Sequence, residues 1–208
     1  MRILAIGCAG LVLGALCSCY PSEIDSISDA ASIITVVDSQ QPLRVARTYA
    51  MPDTVIHSLR AQGTGAIGHD GDAQVLARIR ANFSVRGWRE ITDPRAEQPD
   101  VAVLVMVFEQ TNTGVAYGGW WGDWGYWPGW PGYGPDWTWG YPTAVTFEFE
   151  SGTLAIAMLD LRGGNPTFKS IPLLWVAGIE DAVITTGVGE VLNGIDQAFA
   201  QSPYLERR

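Results

Sequence analysis

Apolar residues recur along this chain with two different periods. Val75, Leu76, Ile79 and Phe83 fall on one helical face after Asp72, a residue suited to cap a helix, and Gly87 follows where such a helix would stop. Val188, Leu192, Ile195 and Phe199, at spacings of four, three and four, predict a second amphipathic helix ending near Ser202-Pro203. Elsewhere the pattern is that of strands. Val101 to Phe108 is an unbroken apolar run after Pro99-Asp100, the mark of a strand covered on both faces. Val145, Phe147 and Phe149 alternate with Thr146, Glu148 and Glu150, and Leu154 to Leu159 resumes after Gly152. That stretch reads either as one strand bulged at Ser151-Gly152 or as two strands. Gly163-Gly164-Asn165-Pro166 is a turn, and Leu173 to Ile179 is the returning strand. Ile33–Val37 and Val45–Met51 predict two further short strands with a turn between them, and the glycines at 63, 65, 68 and 71 predict a loop. The succession of strands, helix, antiparallel strands and helix predicts one α+β domain over residues 32–205. Its sheet is mainly antiparallel, two helices pack on one face, and a long Gly/Trp-rich hairpin loop projects from it.

That loop, residues 116–142, breaks both periods. It holds Trp120, Trp121, Trp124, Trp127, Trp130, Trp137 and Trp139, seven of the nine tryptophans, among glycines and prolines with only Asp123 and Asp136 charged. Gly and Pro disfavour helix there, and nothing alternates. The segment reads as an extended loop at a hairpin tip, its arms being the strand from Val101 and the strand ending at Phe149, and a loop of such length is commonly functional or disordered. Three uses fit the composition. The rings would cover apolar surface of their own domain, or the segment would be a mobile low-complexity tip; they would stack on glycan faces or grip an extended peptide; or they would sit at a lipid interface or a partner's apolar patch.

The N-terminus sets the compartment. Arg2 is followed by an apolar and small run from Ile3 to Leu16 and by Cys17-Ser18-Cys19, the layout of a lipoprotein signal whose cleavage after Ser18 leaves Cys19 to carry lipid. The run is too short for a comfortable bilayer span. Residues 1–18 are thus expected to be removed and residues 19–31 to form a lipid-anchored tether, palmitoylated with the rest of the lipid modification. Tyr20-Pro21 after the thiol, lacking the Asp that retains lipoproteins at the inner membrane, points to the outer membrane.

The formal net charge is −9, made more negative by loss of Arg2, and Lys169 is the only lysine, so nothing offers the cationic stripe that nucleic acid requires. Cys8 and Cys17 leave with the signal, so no thiol remains for a disulfide, metal or nucleophile. His57 and His69 are the only histidines, no G-x-S-x-G elbow is present, and Asp70 and Asp72 lack the further ligands of a Ca²⁺ loop. Glu148 and Glu150 share a strand face opposite Phe147 and Phe149, a solvent face more simply than an acid/base pair, and Glu180-Asp181 reads as a solvated edge. No catalytic residue, metal site or cofactor is therefore expected.

In their order, several short segments resemble a bacterial lipoprotein family catalogued as domain of unknown function 4136. They are the lipobox at Cys19, Arg47-Thr48-Tyr49-Ala50-Met51-Pro52, Gln98-Pro99-Asp100-Val101, the aromatic insert, Ser151 to Ile156 running to Leu159-Asp160, Leu174-Trp175-Val176-Ala177-Gly178, and the final helix before Ser202-Pro203-Tyr204. The chain departs at Val176, where an Arg often follows the Trp. The resemblance implies an envelope lipoprotein with an α+β domain and carries over no active site. The expectation is a non-enzymatic binding or structural module, attached to the membrane by its N-terminal lipid, with an envelope protein or glycan as partner. The alternative is an enzyme acting on envelope polymers in the manner of a glycan hydrolase, with the aromatic loop as substrate platform.

Overall fold

The computed structural model describes residues 33–38, 43–57, 71–108, 112–115, 138–140, 146–149, 152–165, 167, 170–180 and 188–207; of 112–115, 138–140 and 146–149 the backbone alone is described. In chain order these form β1 (Ile33–Val37), β2 (Thr48–Ala50), β3 (Ile56–His57), α1 (Asp72–Val85), β4 (Arg89–Glu90), β5 (Val101–Phe108), β6 (Asn112–Val115), β7 (Thr138–Gly140), β8 (Thr146–Phe149), β9 (Thr153–Asp160), β10 (Ser170–Ile179) and α2 (Val188–Ala200). Eight strands share one sheet along the path β1-β10-β9-β5-β2-β4, with β3 paired to β5 and β7 to β10; β6 and β8 form a separate two-stranded ribbon. The ladders β1/β10, β10/β9 and β9/β5 are antiparallel and long, whereas each parallel pairing joins two or three residues.

The continuous apolar run of β5 has its cause in two covered faces. Val101, Val103, Val105 and Val107 join Leu154, Ile156 and Met158 of β9 in a cluster that includes Val75, Leu76, Ile79 and Phe83 of α1 and Ile195 and Phe199 of α2. Ala102, Leu104, Met106 and Phe108 instead meet Ala155, Ala157 and Leu159 in a second cluster without a helix residue. Both helices thus lie on one face, as the helical periods predict. Between Leu173 and Trp175 the β10/β9 register shifts, and Leu174 is the extra residue. Leu174 and Trp175 consequently both belong to the helix-side cluster, with Leu173 and Val176 on the other. Under the helices, Phe83 stacks on Tyr49 with centroids 4.7 Å apart and meets Trp88 and Phe199 edge-on. Trp175, fully buried, donates from Nε1 to Ser202 Oγ at 3.0 Å.

Four local expectations are refined. Asp72 is the first residue of α1, Gly71 holds the cap position without a side-chain bond, and the Asp72 carboxylate instead faces His57 Nε2 at 3.1 Å. The strand expected from Val45 begins only at Thr48, because Leu43–Val45 forms a 3-10 turn that leaves Val45 61% exposed. β1 and β2 lie on opposite sides of the central ladders, since β1 pairs with β10 and β2 with β5. The stretch through Gly152 is two strands in two sheets: Gly152 takes φ 88°, donating to the Phe108 carbonyl at 2.6 Å. Gly87 does stop α1, at φ 80°, its N–H bonded to Ser84 O. The buried stripe of α2 is Val191, Gly194, Ile195, Ala198 and Phe199, a face rotated slightly from the predicted one, with Val188 and Leu192 at its border.

Candidate functional site

Cys19 and the indoles of Trp120, Trp121, Trp124, Trp127, Trp130 and Trp137 lie outside the described residues, as does the carboxylate of Glu150; Trp139 is the middle residue of β7. Its backbone pairs with Ile171, in a parallel ladder from Thr138↔Ser170 to Gly140↔Pro172. β7 therefore takes the place beside the start of β10 that β1 occupies beside its end, from Trp175 to Ile179. The other two attachments of the aromatic segment are β6 and β8, which pair from Asn112↔Phe149 to Val115↔Thr146 as an extension of the β5/β9 hairpin. Of the two expected arms, the one ending at Phe149 is β8, but it pairs with β6, while the strand from Val101 pairs with β9.

The ribbon does not continue straight. Gly140 and Thr146 are joined by at most about 22 Å of chain. A straight ribbon would place Thr146 roughly 40 Å or more from the level of Pro172, at about 3.4 Å per residue counted along β5 from Ala102.

Below β7, at the end of the sheet where β5 starts and β9 finishes, a polar knot joins three segments. Asp100 Oδ2 accepts from Arg47 N at 2.7 Å, Thr48 N at 2.9 Å and Thr48 Oγ1 at 3.0 Å, and Thr48 Oγ1 in turn accepts from Asp100 N. Partial burial would raise the Asp100 pKa, but these donors, helped by the Arg162 charge, hold it below the ordinary carboxylate value. Arg162 grips the buried Asp160 carboxylate through Nε and Nη2 at 2.8 and 3.1 Å. Arg207 lies over the Trp88 ring at 3.9 Å and bonds the Tyr204 carbonyl, while Trp88 Nε1 donates to Leu205 O at 2.7 Å. Burial and the neighbouring charges of Arg47 and Arg162 lower the Arg207 pKa.

On the helix side, Arg80 bridges Glu90 and Asp53, and Tyr49 donates to Glu90 at 3.4 Å; burial and that carboxylate raise the tyrosine pKa. These carboxylates are engaged by guanidinium groups, main-chain amides and a hydroxyl. Glu148 takes the register position opposite Thr113 in the ribbon, and Glu180 follows the end of β10. Among the described residues no three His, Cys, Asp or Glu side chains are grouped to hold a metal, and no helix is long and apolar enough to cross a membrane. The residues that sequence reasoning passed over are Thr48, Asp100 and Arg162. The visible signal for them was Asp100 immediately before a buried strand, a position where an unpaired carboxylate would be costly.

An open mixed sheet with two helices on one face and an aromatic segment held by two ladders, β7/β10 and β6/β8, defines an α+β domain. The chain belongs to the family described as domain of unknown function DUF4136, which it matches over residues 34–204. Its structure is similar to the crystal structure of a DUF4136 family protein from Bacteroides thetaiotaomicron VPI-5482, with TM-score 0.64 and 24% identity over 86% of this chain and 98% of that one. A looser likeness is to the PelC dodecamer from Paraburkholderia phytofirmans. Two crystal forms of it give TM-scores of 0.41 and 0.39 with 10% and 8% identity, over 86% of this chain and 99% of that one. No curated protein sequence matches the chain.

Proposed function

We propose that this protein is a non-enzymatic envelope module, anchored to the outer membrane through lipid on Cys19, that engages an envelope glycan or protein with its aromatic segment. The observation that carries this reading is the way the segment is fastened. Its described attachments are backbone ladders of the domain itself, at Asn112–Val115, Thr138–Gly140 and Thr146–Phe149.

The described attachments of the segment lie toward both ends of the sheet. β1 starts at Ile33, opposite Ile179 and at the same sheet end as Leu154 and Val107. β7 is held at Ser170–Pro172, toward the opposite end of the sheet. The fastening at β7 lies toward the end opposite the start of β1, whereas β6 and β8 leave the sheet at the same end as that start.

Two variants test the two halves of the proposal. Cys19→Ser should move the protein from the membrane to the soluble fraction, and unchanged fractionation would defeat the anchor. Replacing residues 118–136 by a short Gly/Ser linker spares β7, and loop closure depends only slowly on length, so the body should stay folded. That variant should lose cross-linking to envelope partners and retention on isolated peptidoglycan sacculi. If both persist at wild-type levels in a folded protein, the aromatic segment is not the binding surface.

A further inference from the structure

The two edges of the main sheet are treated differently. At the β4 edge the strand has only two residues, both charged: Arg89 pairs with Glu97, and Glu90 with Arg80. Short, charged strands of this kind discourage edge pairing. β1 at the other edge has five residues, Ile-Ile-Thr-Val-Val, with no charge, proline or bulge, and all of them are at least partly exposed. Ile34 is 47% exposed, one of three large apolar side chains so placed among the described residues.

Hydrogen-bond parity shows which groups that edge offers. Asp38 N donates to Leu174 O, so Asp38, Val36 and Ile34 direct their main-chain groups toward β10. Ile33, Thr35 and Val37 alternate with them and direct theirs outward, where no described strand pairs. Those three residues are self-complementary. An antiparallel pairing about a two-fold axis at Thr35 sets Ile33 opposite Val37 of the second copy, Thr35 opposite itself and Val37 opposite Ile33, each in a doubly hydrogen-bonded pair. Ile34 then falls beside Val36 of the other copy, on the face where Val36 packs against the second apolar cluster. Two molecules of net charge −9 repel unless the meeting surface is neutral, and β1 is.

We infer that β1 is a self-association edge, through which a second copy of this chain adds its own β1 antiparallel and makes one continuous sheet across a two-fold axis. The occupant is another copy because the outward pattern is complementary to itself under that axis. β7 stands in line beyond β1 beside β10, so the pairing leaves the two aromatic segments flanking the joint. The inference is independent of lipid attachment and of what the aromatic segment binds.

The test uses the mature chain with Cys19→Ser, examined by sedimentation equilibrium over a wide concentration range, with circular dichroism to confirm folding. Wild-type β1 should give a monomer–dimer equilibrium. Thr35→Lys and Thr35→Glu, each placing like charges across the two-fold, should each raise the dissociation constant at least about tenfold, a change on the order of 1.4 kcal/mol. Mixing the two folded variants should restore a one-to-one dimer, because Lys and Glu then face each other. Thr35→Pro, which deletes one outward N–H and none directed at β10, should also weaken the dimer. A wild-type chain that is monomeric up to its solubility limit overturns the inference. So does a dimer indifferent to the Thr35 charges, or one that the mixture fails to restore.

Discussion

Asp100→Asn is expected to destabilise the protein by about 2 kcal/mol at neutral pH and by little in acid. The structure supplies the magnitude. Three donors, at 2.7, 2.9 and 3.0 Å, converge on one carboxylate oxygen and tie β2 and the residue before it to the start of β5. Bonds to a buried charge contribute roughly 1.5–3 kcal/mol each, but Asp100 is only half-buried and water competes for it, so about 0.5–1 each is the appropriate scale. For a chain of this size, 2 kcal/mol corresponds to about 4–8 °C in Tm. The pH dependence follows from the depressed native pKa. A carboxylate whose folded pKa lies below its unfolded value of about 4 contributes its full stability above that value and loses it as pH falls through the native pKa. Urea titrations of the soluble Cys19→Ser chain and its Asp100→Asn derivative, followed by far-UV circular dichroism from neutral pH downward, should give midpoints that differ at pH 7 and converge in acid. Equal midpoints at pH 7, or a gap of constant size across the range, would refute the account.

Other perturbations address separate parts of the domain. Trp175→Phe removes the Nε1 bond to Ser202 and leaves a void beside Phe199, so calorimetry should record a loss of about 2–3 kcal/mol. Gly87→Ala should cost about 1–3 kcal/mol in the same assay, because the residue sits at φ 80° and its new Cβ would lie 2.9 Å from the Arg207 carbonyl; a neutral result would contradict that geometry. Gly194→Ala sets a helix-propensity gain of about 1 kcal/mol against a Cβ only 2.7 Å from Ile179 Cγ2. A double-mutant cycle with Ile179→Ala should show strong coupling, with the glycine replacement harmful in wild type and harmless once Ile179 is trimmed.

How much of this was legible in the sequence depended on whether a residue's role is local. Val75, Leu76, Ile79 and Phe83 announce α1 because one turn of helix brings them onto a single face, and eight apolar residues in β5 announce two covered faces. The placement of β2 was not legible, since a three-residue strand takes its position from Val101 and Ala102, far away in sequence. β3 and β4, two residues each, carry no periodicity at all. Asp72 has the side chain of a cap, but His57, fifteen positions earlier, engages its carboxylate instead. The knot at Asp100 is a meeting of residues more than fifty positions apart, and only the folded sheet brings Arg47 and Thr48 to it. Composition alone singled out the aromatic segment, and composition cannot tell that Thr138–Gly140 returns to pair with β10.

Leu174 is a residue that the β9 ladder does not count. Leu173 stands opposite Leu159 and Trp175 opposite Met158, so the strand on both sides of the bulge stays in frame although one side holds an additional residue. Elsewhere in the sheet an insertion or deletion of a single residue inverts everything downstream, carrying one core into the other. Here the molecule has a joint at which chain length can change by one without inverting either core, and the released carbonyl is already taken by Asp38 N at 2.8 Å. A shortened β10 lacking Leu174 would thus still set Trp175 beneath the helices, forfeiting one leucine and the bend but not the arrangement of layers.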